Sequence, residues 1–211
     1  MTRTVDGRVA RGARTRAAVL RRAADIASVD GLDGVSIGRL AAELSVSKAG
    51  VFAHFGSKEE LQLATVQAAT ERFLAEVWVP ASAAPEGLVR LVALYDCWLD
   101  YSRRRVFPGG CFFFGTAAEY RARPGRVRDA LAEVRRRWLE AGAGLVAAAQ
   151  DRGELDPACD PEALAFELDA LGMAATLDDQ LRDDAGAYDR ARAAMVARLR
   201  AVATTPHPAL D

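Results

Sequence analysis

The chain has 211 residues, 51% of them hydrophobic, and a formal net charge of −1. That length and apolar content allow a substantial core and exclude a disordered chain. No apolar run approaches the roughly 20 residues of a membrane span, the Arg-rich start lacks the apolar centre of a signal peptide, and three scattered cysteines with two histidines suit neither a disulfide scaffold nor a zinc site. A reducing cytoplasm is the expected compartment, with no membrane, metal or cofactor.

In chain order, residues 1–12 are polar and Arg-rich with two glycines, and predict a flexible basic arm. A helix follows over roughly 13–30 and stops at Asp30-Gly31, a C-terminal signal. Ile37, Leu40, Ala41 and Leu44 fall at i, i+3, i+4 and i+7, one face of a short helix, with Ser36 before it as N-cap. Ser45-Val46 makes a turn, and Ser47 caps a second short helix, Lys48 to about His54, which turns Val51 and Phe55 inward. Ser57 and Glu60 read as a capping box opening a helix over about 58–79 that ends before Pro80. After the linker ASAAPEG, Pro85 opens a helix to about Arg104, and Pro108-Gly109-Gly110 breaks the chain. Further helices are expected near 111–122, from Pro124-Gly125 to about Arg152, near 161–183 and near 187–203, before a loose TPHPALD tail. No strand-like alternation interrupts this pattern. The expected fold is all-α, with about nine helices.

Two short helices joined by a tight turn are a helix-turn-helix, which points to DNA. The second helix leaves Ser47, Lys48, Ala49, Gly50 and His54 outward, a small, polar or cationic set suited to close approach to a major groove. Lys48, Ala49 and Gly50 are the candidates for base edges, Lys48 being able to reach guanine acceptors. Ser36, Ser47, His54 and Lys58 are candidates for phosphate, and Arg8, Arg11 and Arg14 for a minor groove or the backbone. The charge supports this: residues 1–58 hold ten basic against five acidic side chains, a net of +5, which leaves −6 for the remainder. The chain's only lysines, Lys48 and Lys58, both fall in the motif.

Thr15 through Ala69 resembles the N-terminal domain of the tetracycline-repressor (TetR) family. The likeness rests on TRAAVLRRAADIASVDG, on Val35-Ser36-Ile37 and on LAAELSVSKAGVFAHFGSKEEL. Two positions depart from the family pattern. Ser45 stands where a turn Gly is usual, and Phe52 takes the place of a common Tyr, keeping its phosphate-side position without the hydroxyl. The resemblance implies a three-helix DNA-binding domain (13–57) and a helical effector-binding and dimerisation domain (58–203), with a tail at 204–211. It further implies a homodimeric repressor on a palindromic double-stranded operator, released by a small apolar or aromatic effector. An activator or a ligand-independent regulator of the same fold is the alternative. No nucleophile–base pairing, phosphate loop or metal cluster suggests an enzyme.

Aromatic residues concentrate in the middle of the chain, as apolar small-molecule sites require, although aromatics at helical spacing are more often plain core. Given the family's effector position, the candidate pocket residues are Trp98, Tyr101, Cys111, Phe113, Phe114, Trp138, Met173 and Leu177. Gly109-Gly110 would permit close backbone approach or hinging, and Cys111 at a helix start is a candidate for a lowered thiol pKa. The pairs Asp178-Asp179 and Asp183-Asp184 read as solvated charge near a helix end rather than metal ligands. The segment PEALAFELDALGMAATLDDQL is apolar on more than one face and must be covered on more than one. Leu164, Leu168, Leu171 and Ala175, with Met195 and Leu199 of the final helix, are the candidate dimer interface.

Overall fold

The computed structural model describes residues 3–211, with side chains from Ala10 onward. Among the described residues the regular structure is helical, with one isolated antiparallel bridge, Leu155 to Ala203, and no strand. The first helix, α1 (Arg3–Asp30), begins ten residues before the expected start, so the segment read as an arm is helical from Arg3. At its other end Gly31 takes φ 76°, and its amide closes on Ala27 O at 3.0 Å. That is the left-handed cap glycine supplies without steric cost. A 3-10 turn (Leu32–Gly34) leads to α2 (Ile37–Glu43), α3 (Lys48–Phe55) and α4 (Lys58–Phe73).

Pro80 does not end the helical path. A π-helical stretch, Leu74–Trp78, carries the chain into the short α5 (Val79–Ser82), where Pro80 sits in the first turn. Pro80 lacks the N–H that would continue this ladder, and the wider π turn, closed by the Val79 amide on Leu74 O, comes just before it. Then come α6 (Leu88–Arg103), α7 (Phe112–Tyr120), α8 (Arg126–Asp151), α9 (Pro161–Arg182) and α10 (Ala187–Val202). Asp160 caps α9 by accepting from the amides of Glu162 and Ala163. The final residues, expected loose, are folded. Pro208–Leu210 forms a 3-10 turn, Leu210 is buried, and its carbonyl accepts from the Arg200 guanidinium.

The chain divides into two compact units. The first comprises Met1–Glu71 and Phe107–Leu131, the second Arg72–Val106 and Ala132–Asp211. The first core is built on Val19, Ala23, Ile26, Leu32, Val35, Leu40, Val51 and Leu61. It also takes in α7, which the expected division at residue 57 would have left out. In the second, Leu88, Leu91, Leu94, Tyr95, Trp98 and Tyr101 of α6 pack with Leu164, Leu168, Met195 and Leu199 of α9 and α10. No helix of the described chain is long and apolar enough to cross a membrane.

Candidate functional site

The helix-turn-helix takes the form its caps dictate. Ser36 Oγ accepts the Arg39 amide at 3.2 Å, and Ser47 Oγ accepts the Gly50 amide at 3.0 Å. Each cap is worth about 1 kcal/mol, and each hydroxyl keeps its own proton to offer a phosphate. Between the helices Ser45 adopts φ 54°, a left-handed turn conformation that costs a residue with a β-carbon about 1 kcal/mol. Val51 and Phe55 are buried beneath α3, while Ser47, Lys48, Ala49, Gly50 and Phe52 are exposed and His54 is half-buried. Phe52, 53% exposed, is a large apolar ring on the outer face.

The cations of this unit divide into paired and open. Arg39 holds Asp30 at 2.6 Å and Glu43 at 2.9 Å, and Glu43 also takes Arg22. Lys48 and Arg11 carry no ion pair among the described residues. Arg14 reaches back to Ala10 O at 3.4 Å, and the side chain of Arg8 lies outside the described residues. Lys58 departs from expectation: its ammonium donates to Asp33 O at 3.0 Å and lies 3.4 Å from Asp33 Oδ1. Asp33 also pairs with Arg123, and this hydrogen bond, with Lys58 beside it, holds the carboxyl below its ordinary range. The expected capping box is half formed. Ser57 Oγ accepts the Glu60 amide at 3.1 Å, but the Glu60 carboxylate goes to Arg126 at 2.5 Å.

Sequence reasoning missed the clasp that α7 makes on this unit. Glu119 accepts the amides of Leu32 (2.7 Å) and Asp33 (3.1 Å), capping the 3-10 turn. Gln62 donates to Leu32 O and to the Tyr120 hydroxyl, both at 3.0 Å. The close approach foreseen at Gly109-Gly110 is present at Gly109, whose amide donates to Ser28 Oγ.

In the second unit the central aromatics form a packed group. Trp98 and Trp138 stand 5.2 Å apart, Phe73 lies 5.3 Å from Trp138 and 5.2 Å from Tyr101, and Tyr95 touches both indoles. Against them lies Asp169, 1% exposed, which no sequence pattern had marked. Arg135 binds it through both guanidinium nitrogens, at 2.6 and 2.5 Å, and Trp138 Nε1 donates to it at 2.8 Å. Burial and the nearby Asp169 carboxylate push the Tyr95 hydroxyl well above its usual value.

Residues 19–65 match the model of the bacterial regulatory proteins of the tetR family, and residues 87–195 that of the tetracyclin repressor-like C-terminal domain. The chain belongs to the tetracycline-repressor family. No curated protein matches it in sequence. Among solved structures, a TetR transcriptional regulator from Chloroflexus aurantiacus is 27% identical, with 92% of this chain and 98% of that one covered and a TM-score of 0.84. A TetR-family regulator from Streptomyces coelicolor is 26% identical over 90% and 96%, with a TM-score of 0.77. A transcriptional regulator from Saccharomonospora viridis, solved in complex with choline, shares the fold at 22% identity over 92% and 100%, with a TM-score of 0.74. This TetR-family chain is therefore a DNA-binding transcription regulator, not an enzyme.

Two groups of expected residues fall elsewhere in this regulator. Leu164, Leu168, Ala175, Met195 and Leu199 are 0–4% exposed within the single chain and Leu171 is half-buried, so they form the intrachain core rather than a face for a partner. Phe166 (59%), Leu177 (42%) and Leu181 (75%) are exposed instead, in one stripe of α9 with Ala163, Ala170 and Ala174. Of the candidate pocket, Trp98, Tyr101 and Trp138 come together, and Met173 is half-buried. Leu177 points outward, while Cys111, Phe113 and Phe114 belong to the first unit. Cys111 is buried at the start of α7. Asp179, expected to be solvated, is buried with Arg105 3.3 Å away and the Tyr188 hydroxyl at 3.4 Å. The described residues contain no carboxylate, cysteine or histidine group able to hold a metal.

Proposed function

We propose that this regulator is a homodimeric, effector-responsive repressor that lays α3 of each subunit in successive major grooves of a palindromic operator. The observation that carries the reading is the outer face of α3. Small residues, Ala49 and Gly50, flank an unpaired Lys48 and are anchored from beneath by Val51 and Phe55. Such a face lets the backbone approach base edges while Lys48 reaches guanine acceptors. Ser36, Ser47, His54 and Phe52 lie at the phosphate side, and Arg11 and Arg14 extend the cationic reach along α1. Lys58 joins them when a phosphate replaces Asp33 as its partner.

The α9 stripe supports the dimer. Phe166 to Leu181 spans about 22 Å of helix, and the exposed Ala193, Ala197 and Ala201 give α10 a flat surface beside it. Large apolar side chains on one helix and small ones on the next are self-complementary about a two-fold axis, and a continuous exposed apolar stripe calls for a partner. The aromatic group of the second unit supports an effector site, since α4 and α8 each run from one unit into the other. An effector acts by preferring the state that does not fit DNA. The protein acts in the cytoplasm.

The test is sedimentation of the protein alone and on its operator, with in vitro transcription from the same promoter. The reading requires a dimer in both cases and transcription that falls as protein is added. A monomer on DNA, or transcription that rises, contradicts it.

A further inference from the structure

The Asp169 site raises a question that stability alone does not answer. A carboxylate 1% exposed has been taken out of water at the cost of several kcal/mol. A buried ion pair seldom returns more than that, and apolar side chains of the same volume often serve stability as well. The two members of this pair are also unequal. Asp169 sits on the inward face of α9 between Leu168 and Gly172, where an added β-carbon on Gly172 would stand 2.2 Å from the Trp98 ring. The carboxylate has nowhere to go. Arg135 is 38% exposed on a long, flexible side chain.

With Arg135 turned out to solvent, the space its guanidinium had filled is bounded by the Asp169 carboxylate and the neighbouring Trp138 and Tyr95, with Trp98 behind them. Anion and aromatic rings alike favour a cation with an apolar body. A ligand carboxylate meets the opposite situation. To bind Arg135 it must displace a buried carboxylate that cannot leave, and Asp169 would then remain unpaired.

We propose that Asp169, Trp138 and Tyr95 form a recognition site for a small organic ammonium ion with an apolar or aromatic substituent, and that Arg135 is its built-in occupant. An incoming ammonium replaces the guanidinium's N–H donors on both Asp169 oxygens, and its apolar part lies along the indoles. The departing arginine side chain, stem and guanidinium together, supplies the volume for the ammonium group and the carbon that bears it, and the apolar substituent continues outward along the path of that stem. This rests on the effector-responsive reading above and names the ligand class for it. Competition from Arg135 sets a threshold, so the ligand's apparent affinity is lowered by the fraction of time the arginine is in place.

The experiment is calorimetric titration of the DNA-free protein with three probes of one shape: benzylammonium, benzyl alcohol and benzoate. Benzylammonium is expected to bind at least about tenfold tighter than benzyl alcohol, with benzoate weaker still. Asp169→Asn should abolish the preference for the cation. Arg135→Gln should tighten benzylammonium binding by about tenfold, and the cation should raise that variant's melting temperature more than the wild type's. This rescue keeps the test decisive if Asp169→Asn folds poorly, because a purely structural ion pair has no ligand to rescue it. No saturable cation binding, equal binding of the alcohol, or loss of benzoate binding in Arg135→Gln would overturn the proposal. Operator binding by the ligand-free protein is scored separately, so failure here with DNA binding intact leaves the DNA reading standing.

Discussion

Gly109 lies against the backbone of Ser28 so closely that a β-carbon on it would stand 1.9 Å from the Ser28 carbonyl oxygen. Its amide donates to Ser28 Oγ at 3.0 Å, so the residue both packs on the end of α1 and is bonded to it. Gly109→Ala must therefore push backbone from backbone, which no rotamer change relieves. The expected loss is about 3 kcal/mol of stability, at the upper end of overpacking costs. Gly115→Ala, within α7 and with nothing inside 4 Å of the added carbon, is the control and should gain about 0.5–1 kcal/mol. Chemical denaturation of the two variants checks both signs.

Ser45 supplies a prediction in the opposite direction. At φ 54° its β-carbon is strained in the turn between α2 and α3. Ser45→Gly relieves that strain, offset in part by the greater freedom of glycine in the unfolded chain. A net gain of about 0.5 kcal/mol is expected. A loss measured by thermal melting would show that the Ser45 side chain contributes something beyond the turn.

Acid should loosen the clasp on the 3-10 turn. The Asp33 carboxyl is held below the ordinary value of 3.8, first by its hydrogen bond to Arg123. A group with a depressed folded pKa stabilises the protein above its unfolded value and loses that contribution as pH falls through the folded one. The Asp33 contribution is therefore complete at neutral pH and disappears below about pH 4. Because Asp33 is half exposed, solvent screening keeps the effect small. Asp33→Asn should have a slightly flatter stability profile than wild type between neutral pH and pH 3, followed by urea denaturation at each pH.

The proposed dimer makes the exposed α9 stripe its interface and leaves Leu168 in the core of each chain. Leu177→Glu with Leu181→Glu places charge on the exposed face and should dissociate the proposed dimer while leaving the helical content unchanged. Leu168→Ala, by contrast, opens a cavity in the chain's own core and should cost about 2–5 kcal/mol without changing the association state. Analytical ultracentrifugation and melting curves on the two variants distinguish the cases.

The helix-turn-helix was legible because its signals are local. The Ser36 and Ser47 caps, the i, i+3, i+4 spacing of Ile37, Leu40 and Ala41, and the inward Val51 and Phe55 each depend on neighbours within about one turn. The α9 faces were not, because a helix with Leu164, Leu168 and Leu171 on one side and Phe166, Met173 and Leu177 on another gives periodicity no means of choosing the inner one. Asp169 was the missed clue: a carboxylate in register with Leu164, Leu168, Ala175 and Thr176 marks a buried face holding a partner. Arg135, 34 residues away, could not be paired with it from spacing. Nor could the Asp33 bond to Lys58, 25 residues apart, which turns a candidate phosphate contact toward its own unit.

The most direct measurement is selection of binding sites from a genomic DNA fragment library by the wild type and by Lys48→Ala, each at two salt concentrations. The account predicts recovery of one palindromic site by the wild type, with affinity falling steeply as salt rises. It predicts loss of about 1–3 kcal/mol of binding in Lys48→Ala, concentrated at one base position of each half-site. Recovery of no preferred site, or a site bound equally well without the Lys48 ammonium, would contradict the placement of α3 in the groove.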